Sequence, residues 1–299
     1  MTLRSSRGGQ HSITLPEGAT LQSVSIKGTP KAIRQEGRAV TVPLTPGAQD
    51  VNMTWRQASG IATSYTTPQV DLGSNSVNAS LQMYMPHDRW TLFCRGPQLG
   101  PAVLFWSAAL VVLLGAIALG RIPMTPLRTH HWILLGIGFS VVFIKIVLLF
   151  VGWLFALELR KRLPSTTRPL VFNVVQTVVI ILTVLALGAV LFIVQRGLMG
   201  TPEMRIFGNG SSNLFLHWYQ DRADAIVPQG WVFSLPVWAY RVAMLAWALW
   251  LASALIGWLR WGWDCFSTNG LWRKRERVVP PTSKEQSVPP ASAEQPSEG

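Results

Sequence analysis

Between residues 197 and 236 the chain gathers side chains able to move protons and hold anions: His217, Tyr219, Asp221 and Arg222, with Asp224 close behind. An imidazole, a phenol and a carboxylate are groups used in general acid–base catalysis, and arginine offers a fixed fork of donors to an anion. The preceding run Phe207-Gly208-Asn209-Gly210-Ser211-Ser212 permits tight backbone turns. It is not placed between a strand and a helix, as a phosphate loop would be, and so does not point to a nucleotide. The competing reading is an ordered interfacial loop in which Asp221 or Asp224 pairs with Arg222.

A second candidate lies inside apolar sequence. Lys145 is the only charge in the run 132–157, and a cation at that depth in lipid needs a polar partner or access to water. Asn173, Gln176 and Thr177 of the run 169–194 are the partners a neighbouring helix would bring; otherwise a tilted or displaced helix lets Lys145 reach water or another helix. No second intramembrane acid or base is present to form a proton relay. Near the C-terminus Tyr240, Trp247, Trp250, Trp258 and Trp261 fall on one side of a helix, either lining a groove for lipid or glycan or serving as packing residues and an interfacial belt.

Other chemistries find no footing. The acids Glu17, Glu36, Asp50, Asp71 and Asp88 are scattered one to a turn, and His130, His131 and His217 lack metal-ligand spacing. Cys94 and Cys265 build neither a disulfide framework nor a CxxC motif. No metal and no cofactor is expected.

The elements that must position these residues differ along the chain. Of 299 residues 49% are hydrophobic and only 13% charged, with a net charge of +12. Such a composition argues against an ordinary soluble protein. Four runs read as transmembrane helices, about 101–120, 132–157, 169–194 and 237–259, with a polar loop at 195–236. Their apolarity is continuous, unlike the alternation of a barrel strand. Residues 1–96 instead alternate apolar and polar positions, as in Val40, Val42 and Leu44 or Val51, Met53 and Trp55, with turns at Lys27-Gly28-Thr29-Pro30 and Pro46-Gly47. This predicts an antiparallel β-sandwich-like domain. The expected fold is therefore an α+β membrane protein: a β-sandwich-like domain 1–96, a bundle of four transmembrane helices in 97–263, and a basic, then disordered, tail 264–299.

The 26 Lys and Arg flank the apolar runs, which suits anionic lipid headgroups better than nucleic acid. Four spans place both termini on one side. That side carries Arg89, Arg95, the four cations of 158–168, Arg260, Arg273, Lys274, Arg275 and Arg277, so the charge bias makes it cytoplasmic. The polar start, Met1 to Gln10, is no signal peptide, and a strand pattern from Ser12 suggests that the chain starts inside a domain. An upstream signal sequence would invert the orientation.

At Leu99-Gly100-Pro101-Ala102-Val103-Leu104-Phe105-Trp106, at Thr125-Pro126-Leu127-Arg128-Thr129-His130-His131-Trp132 and at Trp261-Gly262-Trp263, the sequence resembles an uncharacterised family of bacterial inner-membrane proteins. In that family these segments look like the C-terminal multi-pass region of a longer β-rich chain. The resemblance implies location and architecture but no activity. The expected function is a non-enzymatic envelope scaffold or recognition protein, with the bilayer and another envelope protein as partners. The alternative is a membrane-embedded enzyme or transporter using Lys145, the 207–224 loop and the tryptophan-rich fourth helix.

Overall fold

The structure is a computed structural model that describes residues 1–60, 62–122, 125–139 and 144–273. The alternation seen in the sequence forms a first β unit from β1 (Thr2–Ser5), β2 (Gly9–Thr14), β3 (Ala19–Ile26), β4 (Thr29–Lys31), β5 (Gln35–Glu36), β6 (Ala39–Leu44) and β7 (Gly47–Gln57). One sheet has the order β1-β7-β3-β4 and the other β2-β6-β5, all pairs being antiparallel. Lys27 and Gly28, with φ of 51° and 76°, make the two-residue turn from β3 to β4, where Ile26 pairs with Thr29. Positive φ at both turn residues matches the twist of the flanking strands. Ile13, Leu15, Val24, Val40, Val42 and Val51 close the core between the sheets.

The second β unit is discontinuous in sequence. Its strands β8 (Ser64–Thr66), β9 (Ser76–Tyr84), β10 (Arg89–Arg95) and β11 (Ala102–Val103) pair with β12 (Ile206–Phe207), β13 (Phe215–Ala223) and β14 (Trp231–Pro236), in the orders β10-β14-β8, β13-β9 and β11-β12. Met83, Leu92, Ile206, Leu216, Trp218 and Val232 form its core. The segment around Asp71 joins the two units: its carbonyl accepts from the Thr14 amide at 2.8 Å, and the Leu72 amide donates to Ala225 at 2.7 Å.

Two expectations are corrected here. Residues 195–236 are not a polar loop, because their apolar positions alternate with partners more than 130 residues away, Leu216 opposite Met83 and Trp218 opposite Leu81. For the same reason the domain 1–96 does not close on itself: β9 and β10 take their neighbours from β13 and β14.

The helices are α1 (Phe105–Gly120), α2 (Thr129–Phe139), α3 (Ile144–Lys161), α4 (Pro169–Met199) and α5 (Val237–Ser267). Among the described residues two helices, α4 and α5, are long and apolar enough to cross a membrane, where four were expected. At 1.5 Å per residue their 31 residues reach about 46 Å, against about 24 Å for the 16 of α1. The run 132–157 is shared between α2 and α3, on either side of residues 140–143, and α3 ends in the charged Glu158, Arg160 and Lys161. Residues 140–143 and the tail 274–299 lie outside the described residues, as does the side chain of Lys145.

The helices α1 to α4 are thus an insertion between two paired strands. Ala102 pairs with Phe207 and Val103 with Ile206 where the chain leaves and returns, and the Leu104 amide donates to Arg205 at 3.1 Å. The helix α5 then leaves β14 directly, its Val237 amide donating to Asp88 at 2.8 Å and Tyr240 meeting Trp90 edge-on at 5.3 Å. Its far end meets the end of α3. The β units and the end of α5 consequently sit at opposite ends of the bundle, not at the same end as an even number of spans required.

Candidate functional site

On β13 the even positions Leu216 and Trp218 are buried, and the odd positions His217, Tyr219 and Asp221 share the outer face. Trp218 anchors this strand in a seat made of glycines. A Cβ added at Gly100 would lie 2.2 Å from its ring, and one added at Gly96 2.4 Å from it. The Gly208-Asn209-Gly210 turn, with φ of 114°, 47° and 71°, folds back over His217. The His217 amide donates to Ser211 Oγ at 3.0 Å, and its Nδ1 lies 2.9 Å from the Asn209 carbonyl oxygen.

That contact assigns the tautomer, since a carbonyl oxygen only accepts and Nδ1 must carry the proton. Nε2 is then the acceptor for the Ser80 hydroxyl of β9, 2.9 Å away. A hydroxyl donating to an imidazole whose other nitrogen is held by an acceptor is the polarisation used in nucleophilic catalysis. Here the pair lies on an outer sheet face where water competes for both groups, and it ties β9 to β13. Two residues along, the Tyr219 hydroxyl donates to Asn78 Oδ1 at 2.7 Å. The Asp221 carboxylate on the same face, with some desolvation, favours the protonated phenol and raises it above its ordinary value. Arg222 points away from Asp221 because adjacent strand residues face opposite sides. Among the described residues the ion pairs are Glu158–Arg162 and Arg196–Glu203, so the expected pairing of Asp221 or Asp224 with Arg222 does not form.

The structure gives Asn173 and Gln176 a role that sequence reasoning missed, through Arg160. This arginine, at the end of α3, is 1% exposed. Its Nε donates to Gln176 Oε1 at 2.8 Å, Nη1 to the carbonyls of Cys265 (2.8 Å) and Thr268, and Nη2 to that of Gly270 at 2.8 Å. The last turn of a helix leaves carbonyls without partners and carries partial negative charge, so a guanidinium there satisfies both. The Phe172 ring is stacked beneath it, 4.9 Å away. Gln176 Nε2 donates to Phe266 at 3.3 Å. Asn173 exchanges two bonds with the Arg273 backbone, and Arg273 Nη1 reaches the carbonyls of Ser165 and Thr167 at 2.8 and 3.0 Å. Asn173 and Gln176 therefore fasten the exit of α5. In the sequence Arg160 is one more cation beside Lys161 and Arg162, with nothing to mark its burial.

The tryptophan stripe of α5 faces its neighbours. Trp247 donates to the Leu134 carbonyl at 2.8 Å over Gly138, and Trp258 packs against His131, Phe150 and Trp250. The cysteines are free; burial pushes the Cys94 thiol up to about 11, and it donates to the Pro101 carbonyl at 3.3 Å. No group of three or more His, Cys, Asp or Glu able to hold a metal occurs among the described residues. In comparisons with known proteins, no family model, no curated protein and no solved structure matches this chain.

Proposed function

We propose that the protein is a non-enzymatic scaffold or recognition protein of a bacterial cytoplasmic membrane, whose helical bundle holds the two β units at the bilayer surface. The observation that carries this reading is the insertion of α1 to α4 between the paired β11 and β12, followed by the direct run from β14 into α5. Three chain passages weld the second β unit to the bundle and leave little freedom between them. A bilayer is supported by the outward-facing Ile181, Val184, Leu185 and Leu191 of α4 and Leu245, Leu249 and Ile256 of α5, apolar surface that water would penalise.

The end of the bundle remote from the β units carries Arg160, Lys161, Arg162, Arg168, Arg260 and Arg273, and the sequence adds Lys274, Arg275 and Arg277. By charge bias that end is cytoplasmic, and the β units stand on the other side. Both parts are testable in cells. The protein stays in the membrane pellet through an alkaline carbonate wash; release into the supernatant refutes the anchor. With Cys94 and Cys265 replaced by alanine, a membrane-impermeant maleimide labels Ser74→Cys on intact cells and leaves Thr166→Cys unlabelled until lysis. The reverse pattern overturns the orientation.

A further inference from the structure

At the end of the bundle next to the second β unit, the last turns of α4 and the first turn of α5 border a cavity of about 430 Å³. Gln195, Arg196, Glu203 and Tyr240 give it a polar wall, and Phe192 and Met199 an apolar one. Glu203 reaches this place because α4 stops abruptly. Gly200 is extended, its amide donates to the Arg196 carbonyl at 2.8 Å, and a side chain at Gly200 would collide with that oxygen. The chain then brings Glu203 Oε1 to 3.6 Å from Arg196 Nη2.

These polar groups are unspent. At 3.6 Å the ion pair falls short of a hydrogen bond, both side chains are more than half exposed, and such a pair contributes little to the fold. Tyr240 is only 4% exposed and its ring stands edge-on to Trp90, yet its hydroxyl has no hydrogen-bond partner among the described residues. That hydroxyl is not a fully enclosed atom either, so the little exposure it keeps opens on this cavity. A polar group so nearly buried needs a partner, and a molecule in the cavity supplies one. Deeper along α4, Phe192, Leu185 and Ile181 continue the line of Met199 at helical spacing on an exposed face. Gly188, between Phe192 and Leu185, faces open space and leaves a notch in that stripe. A polar cavity at the head of an apolar track has the form of a seat for an amphiphile.

We infer that this cavity binds the headgroup of a phospholipid whose phosphodiester carries a primary ammonium, with an acyl chain laid along the α4 stripe. The phosphate accepts from Arg196, Gln195 and the Tyr240 hydroxyl, and the ammonium donates to Glu203. Charge selects this occupant. A cation beside an anion is matched by a zwitterion set in the opposite order, whereas the carboxylate repels a purely anionic headgroup and a quaternary ammonium has no N–H to donate. The inference rests on the bilayer reading above and names the lipid chemistry that the anchor recognises.

The test titrates the full-length protein in detergent with dioleoyl phosphatidylethanolamine, phosphatidylcholine or phosphatidylglycerol and counts bound lipid by native mass spectrometry. The ethanolamine lipid binds about fivefold or more tightly than either of the others. Tyr240→Phe keeps the ring against Trp90, removes a donor that makes no bond within the fold, and weakens the ethanolamine lipid by about fivefold. Glu203→Gln, at an exposed position, abolishes its preference over phosphatidylcholine. Glycerophosphoethanolamine, the same headgroup without acyl chains, does not displace the lipid at matched concentration. Equal binding of the three lipids, tightest binding of phosphatidylglycerol, an affinity unchanged in Tyr240→Phe, a preference unchanged in Glu203→Gln, or displacement by the soluble headgroup each overturns the inference. Retention in the carbonate-washed pellet without headgroup preference fails this inference and spares the anchor; release from the pellet fails the anchor itself.

Discussion

Replacing Arg160 by alanine tests how the bundle holds the end of α5. The guanidinium serves four acceptors: Gln176 Oε1 and the carbonyls of Cys265, Thr268 and Gly270. Gly270 is exposed and Thr268 half-buried, so water takes over there at little cost, whereas Gln176 and Cys265 are fully buried. Two buried acceptors without donors cost about 1–3 kcal/mol each. Against this stands relief from keeping a cation out of water, which returns part of the loss. The net expectation is about 3 kcal/mol, with thermal unfolding in detergent lowered by roughly 6–12 °C. Backbone amides of 262–273 lose protection from hydrogen exchange, while those of β9 and β13 keep theirs. Gln176→Leu in the Arg160→Ala background adds less than it does alone, since the two side chains share a bond. A shift under about 2 °C with unchanged protection near Cys265 would refute the reasoning.

Gly100→Ala drives a methyl into the Trp218 ring and destabilises the second β unit by about 1–3 kcal/mol, read from unfolding followed by tryptophan fluorescence. Tyr219 keeps its proton to higher pH than an ordinary phenol, so the stability this contributes is present below the unfolded-state value and is lost as pH rises through the raised one. In spectrophotometric titration the difference between the wild-type protein and Tyr219→Phe is a phenol that ionises above the ordinary range; a difference at or below that range contradicts the influence of Asp221. A fragment of residues 1–60 folds alone with a β-type circular dichroism spectrum, whereas 1–96 leaves β9 and β10 without β13 and β14 and exposes their edges, which gel filtration detects as aggregation. His217→Ala and Asp221→Ala, at the outer sheet face, leave abundance and complementation intact, with stability changes of about 0–1 kcal/mol; loss of complementation at normal abundance favours the enzyme or transporter alternative.

Local pattern in the sequence determined the kinds of element. Alternation at Val40 and Val42 made strands of the first unit, Lys27-Gly28 made a hairpin turn, and uninterrupted apolar runs made α4 and α5, because backbone preference and side-chain period act within a few residues. Tertiary structure alone decided which strands meet. The 207–224 stretch looked like a reactive loop because its partners Met83 and Leu81 lie across a helical insertion, and a polar outer face on a strand resembles a loop until its neighbour is known. The same holds for the polar candidates within the helices. Nothing local separates Arg160 from Lys161 or Arg162, yet the three-dimensional placement of the α5 carbonyls turns one cation inward and leaves the other two in solvent. Long-range pairing and the desolvation of single charges depend on the whole packed arrangement, and a residue's type and near neighbours carry no record of either.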